Sequence, residues 1–420
     1  MKTLINCHCM VFLLLVAGCS QPDPVVVQQE SANQSPPATS TPSSQQETVA
    51  PTVADDQQET GDTASSEELS EEEMDGVQWP VFRGDPQGTG FTATPLPTEL
   101  DVLWEHKVDN GAFESTAAIV DEVVYIGDLD GALFALDLRS GEVKWEYTAE
   151  IGFVASPAVQ DGRIFVGNLD GIFFCLDTDG NELWRHESNG EIDSGANFYK
   201  DTVIYGSQDA TLYCLDQASG DVVWEHQIDD QIRCSPTIVE NRAFVAGCDG
   251  LLHIINLDDG TRADAVQIDS PTGVTPAVLG DTVFFGTEQA GFYAIDWKQA
   301  RVNWQFEDPM GATATRSNPA VTDGHVIFGA RNRQVTSLKP ENGDINWSFE
   351  ARGPVDSSPV IAGDHVYVGA SDKRMYVLKL SDGTLVSERE LNGKIIGAPA
   401  IADGRLIVAT NRGVVYCLGK

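Results

Sequence analysis

The chain has 420 residues, with 64 Asp and Glu against 26 Lys and Arg, a formal net charge of −38. A surplus of that size argues against nucleic acid and anionic membrane surfaces as broad partners, because both repel a polyanion. The length suits one large domain or several small ones.

Residues 1–18 read as a leader. Lys2 gives a positive start, Met10 to Val16 is a short apolar run, and Ala17-Gly18 precede Cys19. The run is too short to span a bilayer as a mature helix and fits a signal peptide. Small-small-Cys closing such a run resembles the lipobox of bacterial lipoproteins. That resemblance implies cleavage before Cys19, a lipid on its sulfur and, with Ser20 rather than Asp following, an outer-membrane location facing the periplasm.

Residues 19–76 form a tether. From Ser20 to Gly76 there is no Lys, Arg or aromatic residue but 13 Asp and Glu among Ser, Thr, Pro and Gln. Such a segment cannot bury enough apolar surface to offset its chain entropy, so it is expected to be disordered. Its reach is on the order of 40 Å. From Val77 onward, 51 acidic residues stand against 25 basic ones, a net charge of −26. The stretch WPVFRGDPQGTG, Trp79 to Gly90, matches nothing later in the chain. It is expected to be a lead-in strap over 77–97, packed on the domain that follows, with Trp79 and Phe82 as anchors.

From 98 to 420 the chain repeats itself. YIGDLDGALFALDLRSGEVKW (Tyr125 to Trp145) returns as FVGNLDGIFFCLDTDGNELW (Phe165 to Trp184) and YGSQDATLYCLDQASGDVVW (Tyr205 to Trp224). Strand-ending residues at Gly127, Gly167, Gly206, Gly247, Gly286, Gly329, Gly369 and Ala409 are 39 to 43 apart. ALFALD and EVKWEY trade polar for apolar with a period near two. A pitch near 40 with four short strands per unit predicts an all-β, eight-bladed β-propeller of four-stranded blades. Trp145, Trp184, Trp224, Trp304 and Trp347 fall in fourth strands, and Asp264 and Ser387 hold that slot in two units. DVLWEHKV supplies Trp104 with no strand triplet before it, so this N-terminal strand is expected to complete the last blade and leave no open edge.

Ala135-x-Asp137-x-x-x-Gly141-x-x-x-Trp145, kept in unit three as Cys214, Asp216, Gly220 and Trp224, resembles the tryptophan-docking motif of PQQ-type propellers. These are the quinoprotein dehydrogenases and their non-enzymatic relatives. The resemblance covers Val102 to Lys420, with Ala300 replacing the glycine in unit five. It implies that Trp104, Trp145, Trp184, Trp224, Trp304 and Trp347 are structural and pack between blades. Lipobox, tether and eight such blades together resemble the BamB family of outer-membrane assembly lipoproteins. That implies a monomeric, non-enzymatic scaffold whose partner is an envelope protein, such as an outer-membrane assembly component, with the membrane reached through the lipid alone.

The residues offer little chemistry. Cys175, Cys214 and Cys417 occupy the place of Ala135 and Ala294, as small packed residues. A turn at Glu240-Asn241 puts Cys234 opposite Gly247, one step from Cys248, so a disulfide and two free thiols are both open. Asp128 to Gly131 invites a calcium reading, but the twelfth residue is Arg139, not Glu, so the motif is a hairpin turn. A quinoprotein dehydrogenase of this kind holds PQQ over calcium and an adjacent Cys-Cys ring; this chain has no adjacent cysteines and no Cys-x-x-Cys-His. His106, His186 and His226 repeat with the blades and are expected to face solvent, and no histidine pair has metal spacing. No catalytic residue, metal or cofactor is assigned. The feature left unexplained is a basic arc. Arg331, Arg333, Lys373, Arg374 and Arg412 lie in second-to-third-strand turns, with Arg316, Arg352 and Lys394 in blade connections, all expected on one face beside a longer loop at Glu307 to Pro319. This arc is the candidate partner-binding surface. The alternatives are a PQQ-binding quinoprotein-type protein and a surface adhesin or sugar-binding propeller; exposed aromatics would mark the last, and the turn tips are mostly charged or small.

Overall fold

A computed structural model describes residues 76–268, 270–289, 291–308 and 314–420. The leader, Cys19, the tether up to Asp75 and part of the Glu307 to Pro319 connection lie outside the described residues.

The described chain is all-β and forms eight blades of four antiparallel strands. They begin at Ala118, Ala158, Asn197, Thr237, Ala277, Ala320, Val360 and Ala400. The innermost strand of each has three residues and the outer three have five to seven. Second and third strands such as VVYIG and ALFALD are buried almost throughout, because each blade is sandwiched between two others. The expected alternation is therefore absent from ALFALD, as in sheets covered on both faces. It survives in the fourth strand, VKWEYT, which alternates exposed and half-buried positions.

Asp101–Lys107 pairs antiparallel with Val414–Gly419 and is the outer strand of blade eight, as the position of Trp104 predicts. In each blade the register between third and fourth strands slips by one residue just before the Trp slot, for example between Ala135 and Leu136 and between Val102 and Trp104. A bulge there re-aims the slot toward the next blade. Each indole Nε1–H donates to a carbonyl in the third-to-fourth-strand turn of that blade, at 2.8–3.1 Å. Trp104 reaches Leu138, Trp145 Thr178, Trp184 Gln217, Trp224 Leu257, Trp304 Pro340 and Trp347 Leu380. The motif glycine lies under that ring: at Gly141, with φ 73°, a Cβ would come within 2.6 Å of the Trp104 indole. Ala300 is tolerated at this place, at φ 47°, because the facing slot holds Asp264 and no indole.

The two slots without Trp are filled by other means. Between blades four and five, Trp297 reaches back to donate to the Gly280 carbonyl at 3.2 Å and packs against Phe244. Between blades seven and eight there is no such turn to dock on, since blade eight borrows its fourth strand. There the entering chain takes over. Ser387 Oγ donates to the Thr98 carbonyl, Arg389 Nε to Leu100 at 2.5 Å, and Tyr367 Oη to Leu96 at 2.9 Å.

The strap packs on the inner side of the ring. It threads the central channel, because the innermost strands leave their inward-facing N–H groups unpaired and an extended chain satisfies them. Ile119 donates to Trp79, Val159 to Pro80, Ile238 to Pro86, Val278 to Gln87, Val321 to Thr89 and Ile361 to Gly90, at 2.8–2.9 Å. In blade three, Asn197 Nδ2 supplies the bond to Pro86 instead. Phe91–Thr92 then runs parallel to Val360–Ala362. Trp79 is buried as expected, and Phe82 half-buried. Two smaller expectations also change. The fourth strand-ending residue is Ala246, with Gly247 in the turn. His106, His186 and His226 are half-buried rather than solvent-facing, because they lean over the next blade: His186 Nδ1 meets Tyr205 Oη at 2.7 Å and His226 Nδ1 the Gly260 carbonyl at 2.8 Å.

Candidate functional site

Blade connections and second-to-third-strand turns share one face and are bonded to each other there. Arg331 N donates to Ala314, Ser371 N to Pro354 and Asn411 N to Lys394. Seven arc residues lie in the turns of blades six, seven and eight or in the connections leading into them on this face, and Arg374, expected in a turn, opens the third strand of blade seven beside it. Most are held by carboxylates. Arg331 pairs with Asp356 at 2.9 Å, Arg333 with Glu350 at 2.6 Å, Arg352 with Glu388 at 2.9 Å, Arg374 with Glu388 and Glu390 at 3.3 and 2.7 Å, and Arg316 with Glu288 at 3.3 Å. Lys373, Lys394 and Arg412 make no ion pair with the described residues, and they sit together across blades seven and eight. Apart from the half-buried Arg374–Glu388 pair, these exposed pairs contribute little stability, but each leaves guanidinium N–H groups for another acceptor.

A cavity of about 380 Å³ opens on the channel axis of the same face. Its wall takes the same position from each connection: Glu114, Val154, Asp193, Arg233, Gly273, Arg316, Asp356 and Ile396. Arg331 and Glu288 add to the wall, and Phe82 at the tip of the strap forms part of the floor. Arg316 and Arg331 thus face the axis, while the other arc residues do not line the cavity. Two residues on from the wall position, a second ring ties the blades together. Each backbone N–H donates to the side-chain oxygen one blade further on: Thr116 to Ser156, Gly195 to Ser235, Ser235 to Thr275, Thr275 to Asn318, Asn318 to Ser358, and across the seam Ala398 to Thr116, at 2.6–3.0 Å. Gly195 and Ala398 have no oxygen to offer, so the links into them are missing.

Burial next to Asp193 raises the Glu114 carboxyl above its ordinary range. Asp356 raises Arg331 further. Below the floor, Arg83 is fully buried, and its Nη2 donates to the Pro319 and Pro359 carbonyls at 3.1 and 2.5 Å. Burial pulls its guanidinium down to about 9, still charged at neutral pH. A Cβ on Gly90 would lie 2.0 Å from that Nη2, so the glycine makes room for it. Asp128 is a turn residue, as read: its Oδ1 accepts from Asp130 N and Ala132 N at 3.0 and 2.8 Å, and Asn168 does the same in blade two. Cys234 and Cys248 are not disulfide-bonded.

PQQ over calcium does not fit these residues. The strap and Arg83 occupy the channel beneath the axial cavity, and no group of three or more His, Cys, Asp or Glu able to hold a metal occurs among the described residues. The sequence missed the axial wall, although the column two residues before each ring oxygen was there to be aligned.

Eight blades stapled by docked indoles and closed by an N-terminal strand define a propeller of the PQQ-like repeat class. The family described as outer membrane protein assembly factor BamB matches residues 100–306, with further matches over 265–349 and 307–386, and the chain belongs to that family. BamB from Moraxella catarrhalis superposes with a TM-score of 0.67 at 17% identity, over 76% of this chain and 100% of that one. The quinohemoprotein alcohol dehydrogenase of Comamonas testosteroni gives 0.71 at 15%, over 82% and 81%. The computationally designed Ika8 protein gives 0.66 at 17%, over 77% and 99%. Identities this low establish the shared fold alone. No curated protein sequence matches the chain.

Proposed function

We propose that the protein is a lipid-anchored, non-enzymatic scaffold of the cell envelope, held at the outer membrane through Cys19 and docking a protein partner in outer-membrane protein assembly. Membership of the BamB family supports the role, and the leader and Cys19 support the anchor. The observation that carries the non-enzymatic reading is the strap: where a quinoprotein would need a cofactor chamber, this chain places its own backbone and Arg83. The partner surface is the turn face. Lys373, Lys394 and Arg412 make no ion pair with the described residues there, so they are the residues through which an acidic partner is attracted.

Capture of the partner from detergent-solubilised membranes tests this. Reversal of Lys373, Lys394 and Arg412 to Glu should slow capture and flatten its salt dependence, with the melt unchanged. Capture and salt dependence equal to those of the parent would remove the arc from the interface. Cys19→Ser should lose membrane fractionation; retention would refute the anchor. A bound-quinone absorbance after adding PQQ and calcium would overturn the non-enzymatic reading.

A further inference from the structure

The axial cavity is built from groups that have hydrogen-bonding capacity left over. Arg233, Arg316 and Arg331 each reach a carboxylate through Nε, at 3.2, 3.3 and 2.9 Å, and their Nη groups make no hydrogen bond to the described residues. Around the axis, Thr116, Ser156, Ser235, Thr275 and Ser358 are all buried. The first four each accept one backbone N–H. Ser358 Oγ accepts two hydrogens from Asn318, from N and Nδ2, so its own proton can only be donated. None of the five hydroxyls has an acceptor among the described residues. Donors left over around one open cavity are met by water, which a ligand carrying its own acceptors can displace.

Charge decides which ligand. The wall holds three guanidinium groups against four carboxylates, Glu114, Asp193, Glu288 and Asp356. It is close to neutral and no site for an oxyanion. Carboxylate oxygens not used in the ion pairs are acceptors interspersed with the donors. Phe82, half-buried, is the aromatic residue of the lining. A circular wall of alternating donors and acceptors with an aromatic residue in the lining fits a molecule with an apolar face and hydroxyls radiating from its edge. A peptide offers its N–H and C=O groups along a line and matches this less well. The volume, about 380 Å³, lies within the ordinary range for small-molecule sites.

We propose that the axial cavity binds a neutral sugar, with one pyranose ring over Phe82 and its hydroxyls between the Arg233, Arg316 and Arg331 forks and the ring of Ser and Thr hydroxyls. The site is open to solvent, so weak binding is expected, on the order of millimolar.

Saturation-transfer NMR on the intact protein tests this, with glucose and N-acetylglucosamine as probes at millimolar concentration. The parent should transfer saturation to the ring protons of one or both. Phe82→Ala and Arg233→Met should each reduce the transfer at least fivefold while the melt stays cooperative. Arg233 is exposed and outside the basic arc, so this variant folds even if Phe82→Ala does not. Absence of transfer to both sugars overturns the proposal. So does transfer that survives Arg233→Met in a folded protein, or saturation of a Gly-Ser-Gly peptide or a response to inorganic phosphate without any response to sugar. Arg233→Met should leave partner capture intact, which keeps this proposal separable from the scaffold role.

Discussion

The ring of side-chain oxygens around the channel should be measurable link by link, and its two ends carry opposite signs. Across the seam between blades eight and one, the Ala398 N–H donates to Thr116 Oγ1 at 2.9 Å, with both residues buried. Thr116→Val keeps the shape and removes the acceptor. Leaving a buried N–H unpaired costs about 1–3 kcal/mol. The ring also lacks an oxygen at Ala398, whose side chain lines the open cavity, so Ala398→Ser has room to accept from Ser358 N as the other blades do. A net gain of about 0.5–1.5 kcal/mol is the usual worth of one such bond. A domain of about 345 residues has an unfolding entropy near 0.7 kcal/mol/K, so each kcal/mol moves Tm by about 1.4 °C. Thr116→Val should therefore melt about 1.5–4 °C lower and Ala398→Ser about 0.7–2 °C higher. Calorimetry with a urea titration at constant m-value gives both numbers. If Thr116→Val matched the parent, or Ala398→Ser lowered Tm, the ring would not be a source of closure stability.

Asp128 is 1% exposed and its Oδ2 has no partner, while burial raises its carboxyl. The folded state binds that proton more tightly than the unfolded one, so ionisation destabilises the fold above the folded pKa, and the penalty disappears as pH falls toward the unfolded value near about 3.9. Asp128→Asn, the residue blade two already uses, should be more stable than the parent by about 1 kcal/mol at neutral pH, and the two stabilities should converge in acid; a gap independent of pH would refute the assignment. Trp297→Ala removes the indole that replaces the missing fourth-blade Trp and should cost about 3–5 kcal/mol in chemical denaturation, a loss under 1 kcal/mol being incompatible with its packing on Phe244. Deleting Asp101–Lys107 exposes the edge of Val414–Gly419, and the product should aggregate or lose its cooperative melt; a soluble product melting like the parent would mean that this strand does not close the ring.

Blade number and closure were legible because they are written repeatedly. Trp, Asp and Gly return at a fixed pitch, and Trp104 stands alone ahead of the first triplet. What happens once was not legible. The strap has no periodicity, since its partners are single N–H groups from seven different blades, and its Gly and Pro content reads only as irregular chain. Trp297 was visible as an extra Trp after the Ile-Asp pair of unit five, yet nothing local says it reaches backward into blade four. The fully buried second and third strands obscured the period-two signal that an exposed sheet would give. The residues of the basic arc could be assigned to turns and connections by counting strands. Its neutralisation by Asp356, Glu350, Glu388 and Glu390 was hidden, because those acids sit in the next connection or on fourth strands of the same or the next blade.

Gly76 to Leu100 solves three separate problems of this ring. It saturates the inward-facing N–H groups of the innermost strands. Through Thr98 and Leu100 it replaces the turn that blade seven would otherwise dock on. It then delivers the outer strand of blade eight. Each solution joins the start of the domain to its end: Arg83 bonds Pro359 across 276 residues, Ser387 bonds Thr98 across 289, and Gly76 N bonds Asp403 across 327. Contacts so distant in sequence are slow to form, because the loop entropy is lost before the contact is gained. Arg83 shows the same closure at its most buried point: its charge is held by two carbonyls that only a closed ring brings together, those of Pro319 and Pro359 at the entries to blades six and seven.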